Sequence, residues 1–557
     1  MATTTPLLAR LPDVRVHPPQ DDGAPWLVQN GERYFRVGAD AARLLDRLDG
    51  TCSPAGLAED LGAPWTEQRV REALKSFARF GLLADSDGVG GASGESAHGT
   101  SGGGSVRRKP AGRSAQVTAG RLRFVPPMTL QFTLWNPDRL MDRLLPVTRA
   151  LLSRRGLTVL LLLVIAGLMA LTAQAQTVWQ AVSTPPSAQT YLSVFTGVLL
   201  VTGVHEVGHG AVLAHYGQRP TRVGMMFYYL TPAFFCDVSD GWRLPRKEQR
   251  VAVALAGVGV QTVIGATAAL AAPATSGQVR SSLLIFAVVC YLYGVFNLLP
   301  LVKFDGYLAL MSHVDIPNLR AKAMADARAA TLIRVAGGHR PRELPQIRWA
   351  VAYGVACQVF PLYLIGTGLT VVAGLIGGLP FGALLLWLLV LALAFQACKV
   401  LRRVVGEVRT AGGSVLRLAG VALTALAAVT VLLTQVTVDR QMPAGYATVH
   451  GRPVLVLPPG TDSSSVTVGA PVLLRTQGFL FGRTLGRTTL APGAARTARV
   501  PLSAVIPVRT DLKVPTTVRP LSGDAVLPAA AGAARVDLGR ESLGSRLCDY
   551  LTSSLIH

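Results

Sequence analysis

Charged side chains are scarce in this sequence. Only 15% of its 557 residues are Asp, Glu, Lys or Arg, half are hydrophobic, and the mean hydropathy is +0.39. That balance excludes an ordinary soluble enzyme and fits a chain housed in lipid. Acidic residues are the scarcer sign, 32 against 54 basic ones, giving a net charge of +22. Such a surplus invites a nucleic-acid reading, but no zinc-finger or RNP-like motif accompanies it. The arginines instead gather in short loops between apolar runs, the pattern of the positive-inside bias. Cysteine is sparse too: Cys52, Cys236, Cys290, Cys357, Cys398 and Cys548 form no CxxC pair. Three of them lie in apolar runs as small hydrophobes, and only Cys548 falls in the last 120 or so residues, so no disulfide framework is expected. Residues 1–20 carry prolines and charges but no apolar core, so no signal peptide is expected there. No GxxxxGKS or GxxxxGKT motif marks an ATP-driven transporter, and no PDZ-like insert is evident.

Seven long apolar runs are present, near 157–175, 190–214, 250–272, 282–302, 350–374, 379–398 and 418–436. Each approaches the ~20 residues that cross a bilayer. Their connections alternate in charge. The segment before the first run holds Arg149, Arg154 and Arg155; the second-to-third connection holds Arg219, Arg222, Arg243, Arg246, Lys247 and Arg250. The fourth-to-fifth and sixth-to-seventh connections hold eight and five Lys or Arg residues, whereas 176–189, 273–281 and 375–378 hold only Arg280. This alternation predicts a cell-membrane protein with a cytoplasmic N-terminus and an exterior C-terminus.

The flanks read differently. In residues 1–85, Trp26–Gln29 and Arg33–Val37 around Asn30-Gly31 predict a β-hairpin. Helices are predicted near 39–48, 53–61 and 66–80, the last with Val70, Leu74 and Phe77 at helical spacing. A hairpin with three helices is a winged-helix-like α+β arrangement. Residues 86–120 are rich in Gly, Ser and Ala and read as a flexible linker. Residues 136–155 alternate basic and apolar positions, which predicts an amphipathic helix on the inner membrane surface, capped near Asn136 or Asp138 and kinked at Pro146. Beyond 437, the runs Pro453–Leu457, Val472–Arg475 and Ala498–Ile506 between Gly/Pro turns predict a small β-rich domain. The expected fold class is therefore mostly α: a polytopic membrane protein of about seven spans in residues 121–436, with an N-terminal α+β domain and a C-terminal exterior β-rich domain at 437–557.

Chemistry concentrates in the second run, which contains His205-Glu206-Val207-Gly208-His209. Residues four apart share a helix face, so the two imidazoles can grip one metal ion. Neutral imidazole suits zinc, and Glu206 lies beside them as a base for a water molecule. Ionisable groups inside an apolar span are costly and seldom lack a function. The fourth run ends in Asn297-Leu298-Leu299-Pro300-Leu301-Val302-Lys303-Phe304-Asp305-Gly306-Tyr307. Asp305 is the candidate third ligand; the plainer alternative is a loop carboxylate paired with Lys303. Both runs cross in the same direction and carry these residues at their inner ends, so they can meet at one depth. Pro300 should break the helix, Gly306 permits close backbone approach, and Asn297 can hydrogen-bond a substrate or an oxyanion.

HEVGH followed two spans later by N-x-x-P-x-x-x-x-D-G resembles the site-2-protease family of intramembrane metallopeptidases. That resemblance implies zinc bound by His205, His209 and Asp305, with Glu206 as catalytic base. Residues 237–257 and the KFDGY ending are similar to the bacterial peptide-zinc-protease branch. That branch often has a second Asn before the Pro, where this chain has Leu299. The resemblance covers residues 121–310. The N-terminal segment is similar to PqqD-like leader-recognition domains, which bind a peptide leader as an added strand. The combination resembles proteases of daptide-like ribosomal peptide (RiPP) biosynthesis, and implies leader removal from a precursor peptide. A generic winged-helix module remains the alternative for residues 1–85.

The rival readings are a membrane exporter component and a regulated protease acting on a membrane-anchored signalling protein. The expected partners are a precursor or membrane-associated peptide and the bilayer, with no nucleic acid. His215 and His313 are assigned no metal role. Trp242 reads as an interface anchor. Phe227, Tyr228, Tyr229, Phe234 and Phe235 read either as a re-entrant element lining substrate entry or as interfacial packing.

Overall fold

The computed structural model describes residues 9–11, 14–18, 26–30, 33–49, 52–83, 122–125, 129–135, 137–228, 231–376, 382–457, 466–476, 478–479, 481–522 and 530–545. The expected linker at 86–120 lies outside them, as do residues 31–32 of the expected hairpin turn. The described chain divides into two compact units. One comprises 1–152, 205–257 and 309–317, the other 153–204, 258–308 and 318–557.

In the first unit, strands β1 (Val14–His17), β2 (Trp26–Asn30) and β3 (Arg33–Val37) form an antiparallel meander. Asn30, expected in the turn, is instead the last residue of β2 and pairs with Arg33, the first of β3. Helices α1 (Ala39–Asp46), α2 (Pro54–Leu61) and α3 (Glu67–Arg79) follow. Ser53 and Thr66 cap the last two by accepting backbone N–H bonds. Val70, Leu74 and Phe77 are buried with Val28, Leu44 and Leu45, as their spacing requires.

The same unit holds a sheet that periodicity did not reveal. Strands β4 (Leu122–Val125), β5 (Thr129–Trp135), β6 (Val223–Tyr228) and β7 (Thr231–Cys236) pair antiparallel in chain order. The aromatic-rich stretch after HEVGH thus supplies the paired strands β6 and β7; Tyr229, Leu230 and the side chains of Phe227, Tyr228, Thr231 and Pro232 lie outside the description. Helix α4 (Pro137–Leu151) is the expected basic-apolar helix, and it continues past Pro146. Arg219 donates to Asp142 at 2.6 Å and lies 3.5 Å from Asp138, tying α4 to the segment that leads into β6.

The long helices are α5 (Arg154–Ala173), α7 (Ala188–His215), α8 (Lys247–Ala271), α9 (Gly277–Asn297), α12 (Ala350–Ile376), α13 (Gly382–Thr410) and α14 (Val415–Gln435). Among the described residues, six helices are long and apolar enough to cross a bilayer, which marks a multi-pass membrane protein. The expected sixth run falls on α13, which is not among those six. Short helices connect them: α6 (Ala175–Ser183), α10 (Asp305–Val314) and α11 (Leu319–Arg328). In the second unit Gly167 of α5 packs directly on Ala266 of α8, and Tyr291 of α9 donates to the Val164 carbonyl at 2.9 Å.

The C-terminal region of the second unit is β-rich, as expected. Strands β8 (Thr437–Val449), β9 (Arg452–Val456), β10 (Pro471–Arg475), β11 (Thr484–Thr489), β12 (Arg496–Pro501), β13 (Lys513–Pro520) and β14 (Ala531–Ser542) form one antiparallel sheet. Its order is β11-β10-β14-β8-β9-β13-β12. The predicted run 498–506 is strand only to Pro501 and continues as a short 3-10 turn. This sheet is fastened to the α6–α7 connection. Phe481 stacks on Trp179, Arg509 N–H donates to the Pro186 carbonyl at 2.9 Å, and Tyr191 OH donates to the Pro507 carbonyl at 2.9 Å.

Candidate metal centre

Helix α7 is unbroken through HEVGH, so His205 and His209 stand one turn apart on one face. Both are only 5% exposed. Their Nε2 atoms are 3.2 Å apart. Two nitrogens bound at 2.0–2.1 Å to a tetrahedral zinc ion would be roughly 3.3 Å apart, so the pair has the spacing of a chelate. The Nδ1–H of His209 donates to the Val253 carbonyl at 2.7 Å. That bond fixes the ring and leaves the Nε2 lone pair aimed at the shared point.

What keeps that point open is a glycine that motif reading overlooked. Gly257 sits one turn beyond Val253 on α8. A Cβ there would lie 2.5 Å from His209 Nε2 and closer still to His205 Nε2. Any other residue would fill the space an ion needs. Asp305, the expected third ligand, belongs to the second unit, whereas both histidines belong to the first. The donor set of two imidazoles and a carboxylate suits zinc with one position left for water.

Glu206 faces a different neighbour. Its carboxylate accepts the Cys236 backbone N–H at 3.1 Å. Gly210, one turn further along the same face, lets strand β7 approach: a Cβ there would meet Cys236 Sγ at 2.8 Å. Adjacent faces of α7 therefore serve two tasks, 205/209 toward α8 and 206/210 toward β7. Burial, with Glu206 and Asp237 adding to it, pushes the Cys236 thiol up, so it remains a neutral thiol.

Asp305 opens α10 after a turn that ends α9. Asn297 is the last residue of α9 and is 7% exposed. Helix α9 ends three residues before Pro300, earlier than the apolar run suggested. A Cβ on Gly306 would fall on the Leu298 carbonyl, so the end of α9 and the start of α10 are in backbone contact. His215 ends α7 with its ring against Tyr216, and His313 lies in the last turn of α10. Trp242 carries the Arg250 guanidinium 5.4 Å from its ring centroid, a packing role in addition to any interfacial one. Comparison with protein-family models, curated proteins and solved structures finds no match to this chain.

Proposed function

We propose that this chain is an intramembrane zinc endopeptidase that cuts a peptide bond in or near the bilayer. The observation that carries the reading is the buried His205–His209 pair, spaced as a chelate, with the space before both Nε2 atoms kept free by Gly257. His205, His209 and Asp305 would hold the ion. A zinc ion there would polarise the scissile carbonyl and acidify a water molecule. Glu206 takes the proton of the attacking water and passes it to the leaving amine. The Cys236 N–H holds the Glu206 carboxylate in position for that transfer. Asn297 donates to the oxygen of the tetrahedral centre. An extended substrate backbone is required, because a helical amide is shielded by its own hydrogen bonds.

The substrate we propose is a ribosomally made precursor peptide whose leader is held by residues 1–85. The winged-helix-like order of strands and helices there supports a recognition role. For topology, we propose seven crossings, with the N-terminus in the cytoplasm and residues 437–557 outside. Two observations support it. Arginine-poor connections include 176–189, and the C-terminal sheet is hydrogen-bonded to that same connection. Returning the chain from α7 to that side at the end of α14 needs α13 to cross as well.

The test is Glu206→Gln in the full chain, co-expressed with a candidate precursor. Cleavage should fall by about 10²–10⁴-fold while zinc content stays that of the wild type. Unchanged cleavage by this variant would end the proposal. Translocation of intact peptide into vesicles by the variant would favour an exporter instead.

A further inference from the structure

We propose that Arg320 and Tyr353 are positioning residues for Asp305, clamping the turn between α9 and α10 from the following helices. The inference rests on the zinc reading above. Between the end of α9 and the start of α10 the Pro300 and Leu301 carbonyls have no helical partners, and Pro300 brings no N–H of its own. At membrane depth such groups must be satisfied by protein. Two consecutive carbonyls of this turn are. Tyr353 OH of α12 donates to the Pro300 carbonyl at 2.6 Å. Arg320 Nε of α11 donates to the Leu301 carbonyl at 3.1 Å. The same guanidinium donates through Nη2 to the Cys357 carbonyl of α12 at 3.2 Å, so it bridges the turn to a membrane helix.

The clamp has a stiff base. Gly354, next to Tyr353, lets α12 lie on the Ala323 carbonyl of α11, with no room for a side chain between them. The ring of Tyr353 is 9% exposed and stands edge-on to Trp349 at 5.4 Å. From the other side the turn is closed by Gly306 against Leu298. Asp305 follows the second clamped carbonyl by four residues, and little of the intervening backbone is free to choose its course. A guanidinium is an expensive group to place beside a membrane helix, and this one joins the turn to α12. Here it sets where a carboxylate stands. Neither residue touches the ion or the substrate; both act through the turn.

The experiment uses the purified full chain in lipid nanodiscs, with Zn²⁺ affinity measured by chelator competition and the visible absorption of the Co²⁺-loaded form. Tyr353→Phe removes one hydroxyl, and Arg320→Met keeps the stem and removes the donors. Tyr291→Phe is the matched control, since it removes a similar hydroxyl–carbonyl bond elsewhere among the helices. Tyr353→Phe and Arg320→Met should each weaken Zn²⁺ binding by about 10–100-fold and shift the Co²⁺ bands. Tyr291→Phe should do neither. If Arg320→Met fails to fold, Tyr353→Phe decides. Wild-type affinity and spectrum in Tyr353→Phe overturn the clamp and leave the zinc reading standing, whereas a wild-type chain that binds no Zn²⁺ overturns both.

Discussion

Helix α7 delivers two histidines and a glutamate within five residues, while Asp305 arrives on a turn fixed by side chains 15 and 48 positions later in the chain, Arg320 and Tyr353. The first arm needs only an unbroken helix, because a spacing of four places both imidazoles on one face. The second arm has no such internal rule. Its backbone leaves a helix at Leu298, passes a proline, and restarts at Asp305, so its course is set by what touches it. A local arm is sturdy toward changes elsewhere and sensitive to what stands in front of it. A non-local arm is sensitive to distant substitutions that never approach the proposed metal site.

That contrast can be broken at two glycines. The larger effect is expected from Gly257→Ala, which places a methyl before both histidines. Zinc content should fall to near zero, with cleavage lost alongside it. In the apo protein the two rings must shift away from the methyl, at about 1–3 kcal/mol, which the ~1 kcal/mol helix preference of alanine over glycine partly offsets. Zinc content by elemental analysis together with thermal unfolding separates the two effects; full occupancy in this variant would remove Gly257 from the site. The smaller effect is expected from Gly306→Ala, whose Cβ would strike the Leu298 carbonyl. The turn must shift, at about 1–3 kcal/mol of stability, and zinc affinity should weaken without vanishing. A lowered unfolding temperature with unaltered zinc affinity would mean that Asp305 does not depend on this turn.

Legibility in the sequence followed the same division. The HEVGH face, the Val70/Leu74/Phe77 stripe, the β2-β3 pairing and the runs that became β9 and β10 were readable because each rests on neighbours within a few residues. The sheet β4-β5-β6-β7 was not, since it joins 122–135 to 223–236 and its pairing is set by contacts some 90 residues apart. Gly257 was passed over for a related reason. In the run AVALAGVGV a glycine looks like ordinary helix packing, and only the approach of α7 shows what its missing side chain leaves free. The C-terminal strands were visible as apolar runs, but the insertion of β14 between β10 and β8 was not, because strand order leaves no periodic trace. The helical stretch of α13 was visible, and its crossing is argued from where the C-terminal sheet is fastened.

The central claim is a single zinc ion held by two imidazoles and a carboxylate. Zinc X-ray absorption on the purified full chain, with metal per chain counted on the same sample, tests it most directly. The account predicts one zinc per chain with two histidine nitrogens and oxygen donors at about 2.0–2.2 Å and no sulfur, lost in His209→Ala. A sulfur ligand, or full zinc occupancy in His209→Ala, would contradict it.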